Sequence, residues 1–340
     1  MAKAKQLPSG SWRVQASLSI DGKKITRSFT AETARKAEAL ALQWQELTKE
    51  ETKSSNMTLR EAYSRYIAAK EKVLSPGTVR EYKRSAERDL QSIMDLKINL
   101  LTQEKIQMAI TLESVGHSPK TVRNIHGLLV AVLKMFRPEF VVRTALPQKK
   151  PVNLYIPDDK DITKLINHIK GTDMEIPVLL AAFGPMRRGE ICALTSDDVK
   201  GNIVHVNKAL VQNDKKEWVI KPPKTFSSYR QIEYPDFVIE RLSGISGKIT
   251  NKTPSVITKQ FSKILKEAEI SHFRFHDLRH YAVSILHAMN IPDKYIMARG
   301  GWQTNHTMNN VYNHTLKNIQ DEFNNKISEH FTDVYNTIDQ

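Results

Sequence analysis

The spacing of apolar residues changes along this chain, and the change limits the folds that are open to it. Between residues 12 and 20, apolar and polar side chains alternate, and Asp21-Gly22, a pair suited to a tight turn, precedes a returning segment, Lys23–Phe29. From about Thr33 to Thr48 the pattern is helical, with Leu40, Trp44 and Leu47 on one face. We therefore expect a β-hairpin followed by one helix.

The polar face of this hairpin has two interpretations. It presents Arg13, Gln15, Lys24 and Thr26. A β-sheet with such a face can enter a DNA groove, and it can equally be an ordinary hydrated surface. The residues alone leave both open.

Residues 57 to about 136 have a helical pattern throughout, with recognisable helix starts. Thr58 followed by Glu61 is a capping box, while Ser75-Pro76 and Ser118-Pro119 begin two further helices. The third helix has an apolar face of Val122, Ile125, Leu129, Val132 and Leu133. Cations crowd the helix starts, namely Arg80, Lys83, Arg84, Arg88, Lys120 and Arg123. Because phosphates favour both cations and helix N-termini, this segment predicts an all-helical DNA-binding module.

Composition changes suggest where the units are divided. Lys53–Asn56 is typical of a linker, and residues 138–157 contain Pro138, Pro147 and Pro151. A mainly helical third unit begins near Asp158, with strands predicted at 203–206, 218–220 and 230–234. The predicted units are therefore 1–52 (sheet plus helix), 57–137 (helical), 138–157 (linker), 158–320 (mixed α+β) and 321–340 (tail helix).

The net charge of +14 comes from 51 basic and 37 acidic residues. Residues 1–56 contribute +4, residues 57–150 contribute +8 and residues 151–340 contribute +2. Such a field favours a polyanion such as DNA, RNA or an anionic membrane. No apolar run is long enough to span a bilayer, and no apolar segment follows the basic N-terminus. Cys192 is the one cysteine, so we expect no internal disulfide and a cytoplasmic location.

Residues 276–290 are predicted to form a helix that brings two polar groups to one side. Its buried face is Leu278, Ala282, Ile285, Leu286 and Met289, and His276 and Arg279 lie three residues apart on an adjacent face. The pair alone is compatible with a structural hydrogen-bond network as well as with a functional site.

Five further residues stand out. Arg187 follows a Gly-Pro break, and its planar fork suits two phosphate oxygens, with Glu190 able to align a neighbour. Lys224 follows Pro222-Pro223 in a predicted hairpin turn. Tyr312 lies in a polar segment after Trp302, whereas Tyr281 and Tyr295 lie in apolar helices and are predicted to be structural.

In this order the segments resemble the tyrosine recombinase family over nearly the whole chain. The matching stretches are GPMRRGEICALTSDDV (184–199), KTFSSYRQIEY (224–234), HDLRHYAVSILHAMNI (276–291) and GGWQTNHTMNNVYNHT (300–315). The family pattern maps onto Arg187, Lys224, His276, Arg279, Trp302 and Tyr312, with Glu190 as the helper acid. The two N-terminal units resemble those of phage and conjugative-element integrases, which bind arm-type and core-type DNA sites. The implied fold is mainly α with small β elements, a sheet-plus-helix arm unit, a helical SAM-like core-binding domain and a mixed α+β catalytic domain.

The resemblance implies a reaction in which Tyr312 forms a 3′-phosphotyrosyl link while a 5′-hydroxyl leaves. Arg187 and Arg279 would hold the phosphate, Lys224 would act as the acid and His276 as the base. Trp302 can only donate a hydrogen bond. Two positions depart from the family pattern: Gly184-Pro185 replaces the usual Thr-Gly, which stiffens the turn, and Trp302 occupies the late histidine position. No cofactor is expected, and a metal site at His276, His280, His306 and His314 is disfavoured by their spacing.

The implied partner is double-stranded DNA, bound by four protomers through a Holliday junction. The resemblance also suggests two further partners, an excisionase and a DNA-bending host protein, and it suggests no binding to a membrane. The tail, with Phe323, Ile327 and Phe331 at helical spacing, is expected to pack on its own core or on a neighbouring protomer. Two other readings stay open, a DNA-binding regulator that does not cleave and a type IB topoisomerase that relaxes a single duplex.

Overall fold

The protein is described from a computed structural model, which covers residues 3–20, 23–149, 155–223, 226–304, 324 and 327–332. The chain divides into two compact units, residues 1–150 and residues 151–340. No helix in the described part of the chain is long and apolar enough to cross a membrane.

The described residues of the first unit form three strands and six helices. The strands are β1 (Lys5–Gln6), β2 (Trp12–Ile20) and β3 (Lys23–Ala31). The helices are α1 (Ala34–Asn56), α2 (Leu59–Lys70), α3 (Pro76–Arg88), α4 (Gln91–Met94), α5 (Gln103–Gly116) and α6 (Pro119–Phe136). A short 3₁₀ turn, Ile98–Leu100, precedes α5.

The predicted hairpin is present and packs against α1. The three strands form an antiparallel sheet in the order β1-β2-β3, with Val14 opposite Phe29. Val14 and Ala16 are buried under Ala41, and the ring of Phe29 lies 5.6 Å from that of Trp44.

The buried face of α1 differs from the predicted one. Trp44 packs on the sheet as expected, whereas Leu40 and Leu47 are exposed and Ala37 and Ala41 are buried. Small side chains let the helix approach the sheet closely, which the apolar spacing alone does not reveal. Residues 53–56, predicted as a linker, are helical, since α1 continues to Asn56. The Asn56 side chain there accepts a hydrogen bond of 3.1 Å from Lys97.

The helix starts of the second segment are as predicted. Thr58 and Glu61 form a reciprocal capping box, and Ser75 and Ser118 cap α3 and α6. All five residues predicted for the apolar face of α6 are buried in the core of this unit.

Residues 138–149, which composition assigned to a linker, instead form a strap packed on the helical core. Phe140, Val142 and Leu146 pack against that core. The Gln103 side chain donates to the carbonyl of residue 141 and accepts from the amide of residue 143, at 2.6 and 2.9 Å. Gln107 bonds in the same way to the carbonyl and amide of residue 145. The backbone of an extended segment usually forms its hydrogen bonds with a neighbouring strand. Here the side chains of two glutamines one turn apart supply these hydrogen bonds instead.

The second unit contains seven helices and five strands in its described part. The helices are α7 (Asp159–Ile169), α8 (Glu175–Phe183), α9 (Arg188–Ile191), α10 (Asp236–Leu242), α11 (Pro254–Glu267), α12 (Asp277–Ala288) and α13 (Asp293–Gly300). The strands are β4 (Val199–Lys200), β5 (Ile203–Val206), β6 (Ala209–Gln212), β7 (Trp218–Lys221) and β8 (Arg230–Glu233). The main core is centred on the largely buried α8 and the start of α12, and a smaller cluster of Val283 and Ile296 lies between α12 and α13.

The strands of this unit belong to two separate sheets. β5, β7 and β8 were predicted, whereas the short β4 and β6 were not. The sheet orders are β4-β5-β8 and β6-β7. Because β7 and β8 are not paired, the segment that contains Lys224 connects two sheets and is not the tip of a hairpin. Lys224 itself lies outside the described residues.

Helix α12 confirms the helix predicted over 276–290, with one difference at its end. Leu278 and Ala282 are buried, and Ile285 and Leu286 pack against the cores. Met289 is exposed, because the helix has already ended at Ala288. In the tail, residues 327–332 are helical and Ile327 and Phe331 are exposed, while Phe323 lies outside the described residues.

Candidate active site

Five of the residues singled out from the sequence line one cavity of about 640 Å³ in the second unit. They are Arg187, Glu190, His276, Arg279 and Trp302. Arg187 is the residue before α9, His276 and Arg279 begin α12, and Trp302 follows α13. Segments that are distant in the sequence therefore meet, and Arg187 and Arg279 bring positive charge to the cavity wall that they form.

Glu190 fixes the backbone and the side chain of Arg187 together. Its carboxylate accepts from the Arg187 amide at 2.7 Å and from Nη1 at 2.8 Å. Glu190 is buried, whereas the Arg187 side chain is 36% exposed. The carboxylate therefore holds one edge of the guanidinium and leaves the rest accessible from the cavity.

Arg230 is a member of this cluster that the sequence reasoning missed. Its side chain is 4% exposed, and its two terminal nitrogens donate to the two oxygens of Glu190 at 2.8 and 3.2 Å. Its Nε donates to the carbonyl of Arg299 at 2.9 Å. The one available signal was its position in the KTFSSYRQIEY stretch, because nothing local distinguishes it from a surface arginine on a strand.

The two arginines keep Glu190 ionised. Burial by itself raises the pKa of the carboxyl, but the hydrogen bond and charge of Arg230, followed by the charge of Arg187, lower it to about 2. A buried carboxylate that takes several charged hydrogen bonds is held firmly, since breaking any of them would leave a charge without compensation.

Arg279 is buried, and its guanidinium lies over the ring of Trp302. Its guanidinium carbon is 3.9 Å from the centroid of the indole ring, a cation–π stack. Its two terminal nitrogens donate to the carbonyls of Pro185 and Gly300. Burial, with repulsion from Arg187 and Arg230, lowers its pKa. The predicted clamp pair, Arg187 and Arg279, therefore shares one cavity, and Trp302 orients the second of them.

Two glycines before Trp302 permit this arrangement. Gly301 ends α13 in the left-handed region at φ +67°, which glycine adopts without strain. A Cβ added to Gly300 would lie 1.6 Å from the Trp302 ring. Any larger residue at position 300 would displace the indole from its stack on Arg279.

His276 is accessible from the cavity, and its ring meets that of His280 edge to face at 5.0 Å. Loss of water around the ring lowers its pKa to about 4, and repulsion by His280 and Arg279 adds to the shift. The imidazole is therefore neutral at pH 7 and able to accept a proton.

All but one of the remaining predicted residues fall into three groups. Arg13, Gln15 and Lys24 lie on the face of the N-terminal sheet opposite α1 and are exposed. Arg80 and Arg84 contact Glu81, Lys83 contacts Glu71, and Lys120 is exposed in the first turn of α6. Lys224, Tyr312, His306 and His314 lie outside the described residues.

Arg123, which the sequence predicts to contact DNA, has a hydrogen-bond partner within its own unit. It is partly buried, and its guanidinium donates to the carbonyl of Pro147 at 3.0 Å. The side chain therefore holds the strap on α6, which directs it inward.

Comparison with known proteins places the second unit in a family. Residues 158–318 match the model of the phage integrase family. The chain therefore contains a domain of that family, the tyrosine recombinases. The search of curated proteins gave no match.

Solved structures of two integrases share the fold. The Tn1549 transposon integrase in complex with transposon right end DNA is 17% identical with a TM-score of 0.63, covering 75% of this chain and 95% of that chain. A lambda integrase dimer bound to a COC′ core site is 14% identical with a TM-score of 0.60, covering 91% and 94%. A lambda integrase tetramer bound to a Holliday junction is 14% identical with a TM-score of 0.60, covering 92% and 95%.

The lowered pKa of His276 predicts a specific pH dependence of stability. The unfolded chain takes up this proton near pH 6.5 and the folded chain only near pH 4, so the folded state is favoured above this window and loses stability as the pH falls through it. We expect the free energy of unfolding to fall less between pH 7 and pH 5 in His276→Asn than in the wild type, measured by urea titration. Equal losses in both proteins would contradict the shifted pKa.

Proposed function

We propose that the protein is a site-specific DNA recombinase that integrates and excises a mobile element. The observation that supports it best is the convergence of Arg187, Arg279, His276 and Trp302 on one cavity. In the proposed reaction, the hydroxyl of Tyr312 attacks the scissile phosphorus. A 3′-phosphotyrosyl bond forms, the bond to the 5′-oxygen breaks, and a 5′-hydroxyl leaves.

The arginines bind the non-bridging oxygens of the phosphate. Arg187 offers the exposed part of its guanidinium, and Arg279 is held rigidly by two carbonyls and an indole. Donors that are fixed before the reaction stabilise charge as it develops, without a further cost of reorganisation. The indole N–H of Trp302 adds a neutral donor to the same oxygens.

Proton transfer needs two other groups, because Trp302 can be neither acid nor base. Neutral His276 takes the proton of Tyr312, and Lys224 supplies a proton to the leaving 5′-oxygen. The energy of the phosphodiester is kept in the phosphotyrosyl bond, and the reverse attack by a 5′-hydroxyl rejoins the strand. The reaction therefore requires neither ATP nor a metal ion.

The structure also bears on the two competing tyrosines. The Tyr281 hydroxyl donates to Asp159 at 2.7 Å, and burial together with that contact raises its pKa, so it is a poor nucleophile. Tyr295 is exposed on α13 and does not line the cavity.

The covalent intermediate gives a direct test of the proposed reaction. Nicked duplexes tiled across the DNA that flanks the coding region are incubated with the full chain, and protein–DNA adducts are resolved by denaturing electrophoresis. We expect an adduct with the wild type and with Tyr295→Phe, and none with Tyr312→Phe. If none of the nicked duplexes gives an adduct with the wild type, the proposal is overturned in favour of a regulator that binds DNA without cleaving it. Relaxation of a single supercoiled plasmid without strand exchange would instead favour a topoisomerase.

A second proposal concerns the N-terminal sheet, which we assign to a separate, arm-type DNA site. The sheet presents Arg13 and Lys24 on the face opposite α1, and its other face is covered by the helix. The matches to the lambda integrase structures cover 91% and 92% of this chain, which is too much to leave out the whole of residues 1–52.

Removal of Arg13 and Lys24 together should weaken the electrostatic part of DNA binding. Each phosphate contact contributes roughly 0.9 to the slope of log affinity against log salt concentration, so Arg13→Ala/Lys24→Ala should lower the slope by about 1 to 2. The measurement is fluorescence anisotropy with a random-sequence duplex. Arg35→Ala/Lys36→Ala, which removes the same charge from α1, is the matched control. Equal slopes for the two double variants would refute the assignment.

We further propose that four protomers act together and that the tail packs on a neighbouring protomer. Ile327 and Phe331 are exposed on their own chain and lie one turn apart on one helical face. Removal of the residues after 320 should abolish tetramers on a synthetic four-way junction, as judged by light scattering, and Ile327→Asp/Phe331→Asp should do the same. Glu329→Gln, on another face, should leave assembly intact. Unchanged assembly after truncation would exclude this role.

A further inference from the structure

Three consecutive carbonyls at the end of α13 each accept a hydrogen bond from a different arginine. Arg230 donates to the carbonyl of residue 299, Arg279 to that of residue 300 and Arg187 to that of residue 301. The last carbonyls of a helix have no partner within the helix, and its negative end favours cations. The end of α13 therefore spaces the three guanidiniums.

Arg230 differs from the other two arginines in its access to the cavity. Arg187 and Arg279 line the cavity, and Arg230 does not. It contacts Glu190 with two nitrogens, and it also donates to the carbonyls of Ser228 and Pro185 at 3.3 and 3.5 Å. It therefore bridges β8, α9, the turn before α9 and the end of α13 without reaching a ligand in the cavity.

The contacts of Glu190 explain why this bridge affects Arg187. One carboxylate serves both arginines, and each of its oxygens accepts from both residues. Without Arg230, the whole charge of the carboxylate acts on Arg187, and the carbonyl of residue 299 loses its donor. Arg187 would then be drawn towards Glu190, and the helix end that carries Trp302 would lose one of its anchors.

We propose that Arg230 is a positioning residue that sets the phosphate-binding geometry of Arg187 and Arg279 through Glu190 and the end of α13. The inference rests on the proposed function, because its test measures the rate of DNA strand cleavage. Arg230 acts on the rate of strand cleavage at saturating DNA and not on DNA binding, because the groups that it positions are those that meet the reacting phosphate.

The test compares variants of the full chain on a nicked substrate that gives an adduct with the wild type. Arg230→Met should slow adduct formation at saturating DNA by about 100-fold or more, the range found when one preorganised donor is removed, with DNA affinity within about threefold of the wild type. The rate of adduct formation by Arg230→Lys should fall between those of the wild type and Arg230→Met. Lysine keeps the positive charge but cannot donate from two nitrogens of a planar guanidinium. The matched control is Arg241→Met, which breaks an arginine contact of 2.9 Å to the buried Glu175 and does not touch the cavity.

Two further readouts separate positioning from mere stability. The effects of Arg230→Met and Glu190→Gln on the cleavage rate should not multiply in the double variant, because both act through the same contact with Arg187. The pH–rate profile of Arg230→Met should also gain an ionisation in the mildly acidic range, as the Glu190 carboxyl loses the partner that holds its pKa at about 2. The Glu190→Gln/Arg230→Met variant should lack that ionisation.

A failure of the positioning role can be distinguished from a failure of the proposed function. If the wild type forms no adduct, the recombinase assignment fails. If the wild type reacts and Arg230→Met is no slower than Arg241→Met at equal thermal stability, the positioning role is refuted. If Arg230→Met does not fold, Arg230→Lys decides, and a wild-type rate with an unchanged pH profile in that variant would also refute it.

Discussion

The buried carboxylate of Glu190 is the interaction on which the arrangement of the site depends. A buried charge is tolerated only when it is paired and fully hydrogen-bonded, and here Arg187 and Arg230 supply the donors. Arg230 comes from β8, whose partner strand β5 is part of the main core of the second unit. The requirement to pair one carboxylate therefore brings α9 and β8 together and fixes the direction in which the exposed part of Arg187 points.

The end of α13 explains how three guanidiniums can lie close together although few acidic side chains contact them. Carbonyl oxygens 299, 300 and 301 are neutral acceptors at the negative end of a helix, so they hold cations without cancelling their charge. Gly301 makes the helix end sharply, and Trp302 then covers the face of Arg279. The arginines are thus oriented by neutral groups, and their charge stays available to an anion in the cavity.

The sequence predicted local structure better than contacts between distant segments. Capping residues such as Thr58 and Ser118 act within one turn, so their spacing alone identified the helix starts. The buried face of α1 was not predicted, because it depends on how closely a helix with small residues can approach a sheet. The packing of the strap was not predicted either, because it depends on side-chain hydrogen bonds from Gln103 and Gln107. Five residues of the site were found through the motif pattern. Arg230 was missed because its partners lie 40 and 69 residues away in the chain, where no local pattern marks them.

The charge of the cluster fits the proposed chemistry better than it fits simple binding. Among the described groups, Arg187, Arg230 and Arg279 are balanced by one carboxylate, and His276 is neutral at pH 7. A phosphodiester carries one negative charge, whereas the pentavalent arrangement through which it reacts carries about two. In the proposed reaction, the surplus of positive charge would be only partly used by the bound diester and would be used more fully as the reaction proceeds. Interactions that strengthen towards the transition state raise the rate, and those already complete in the bound state do not.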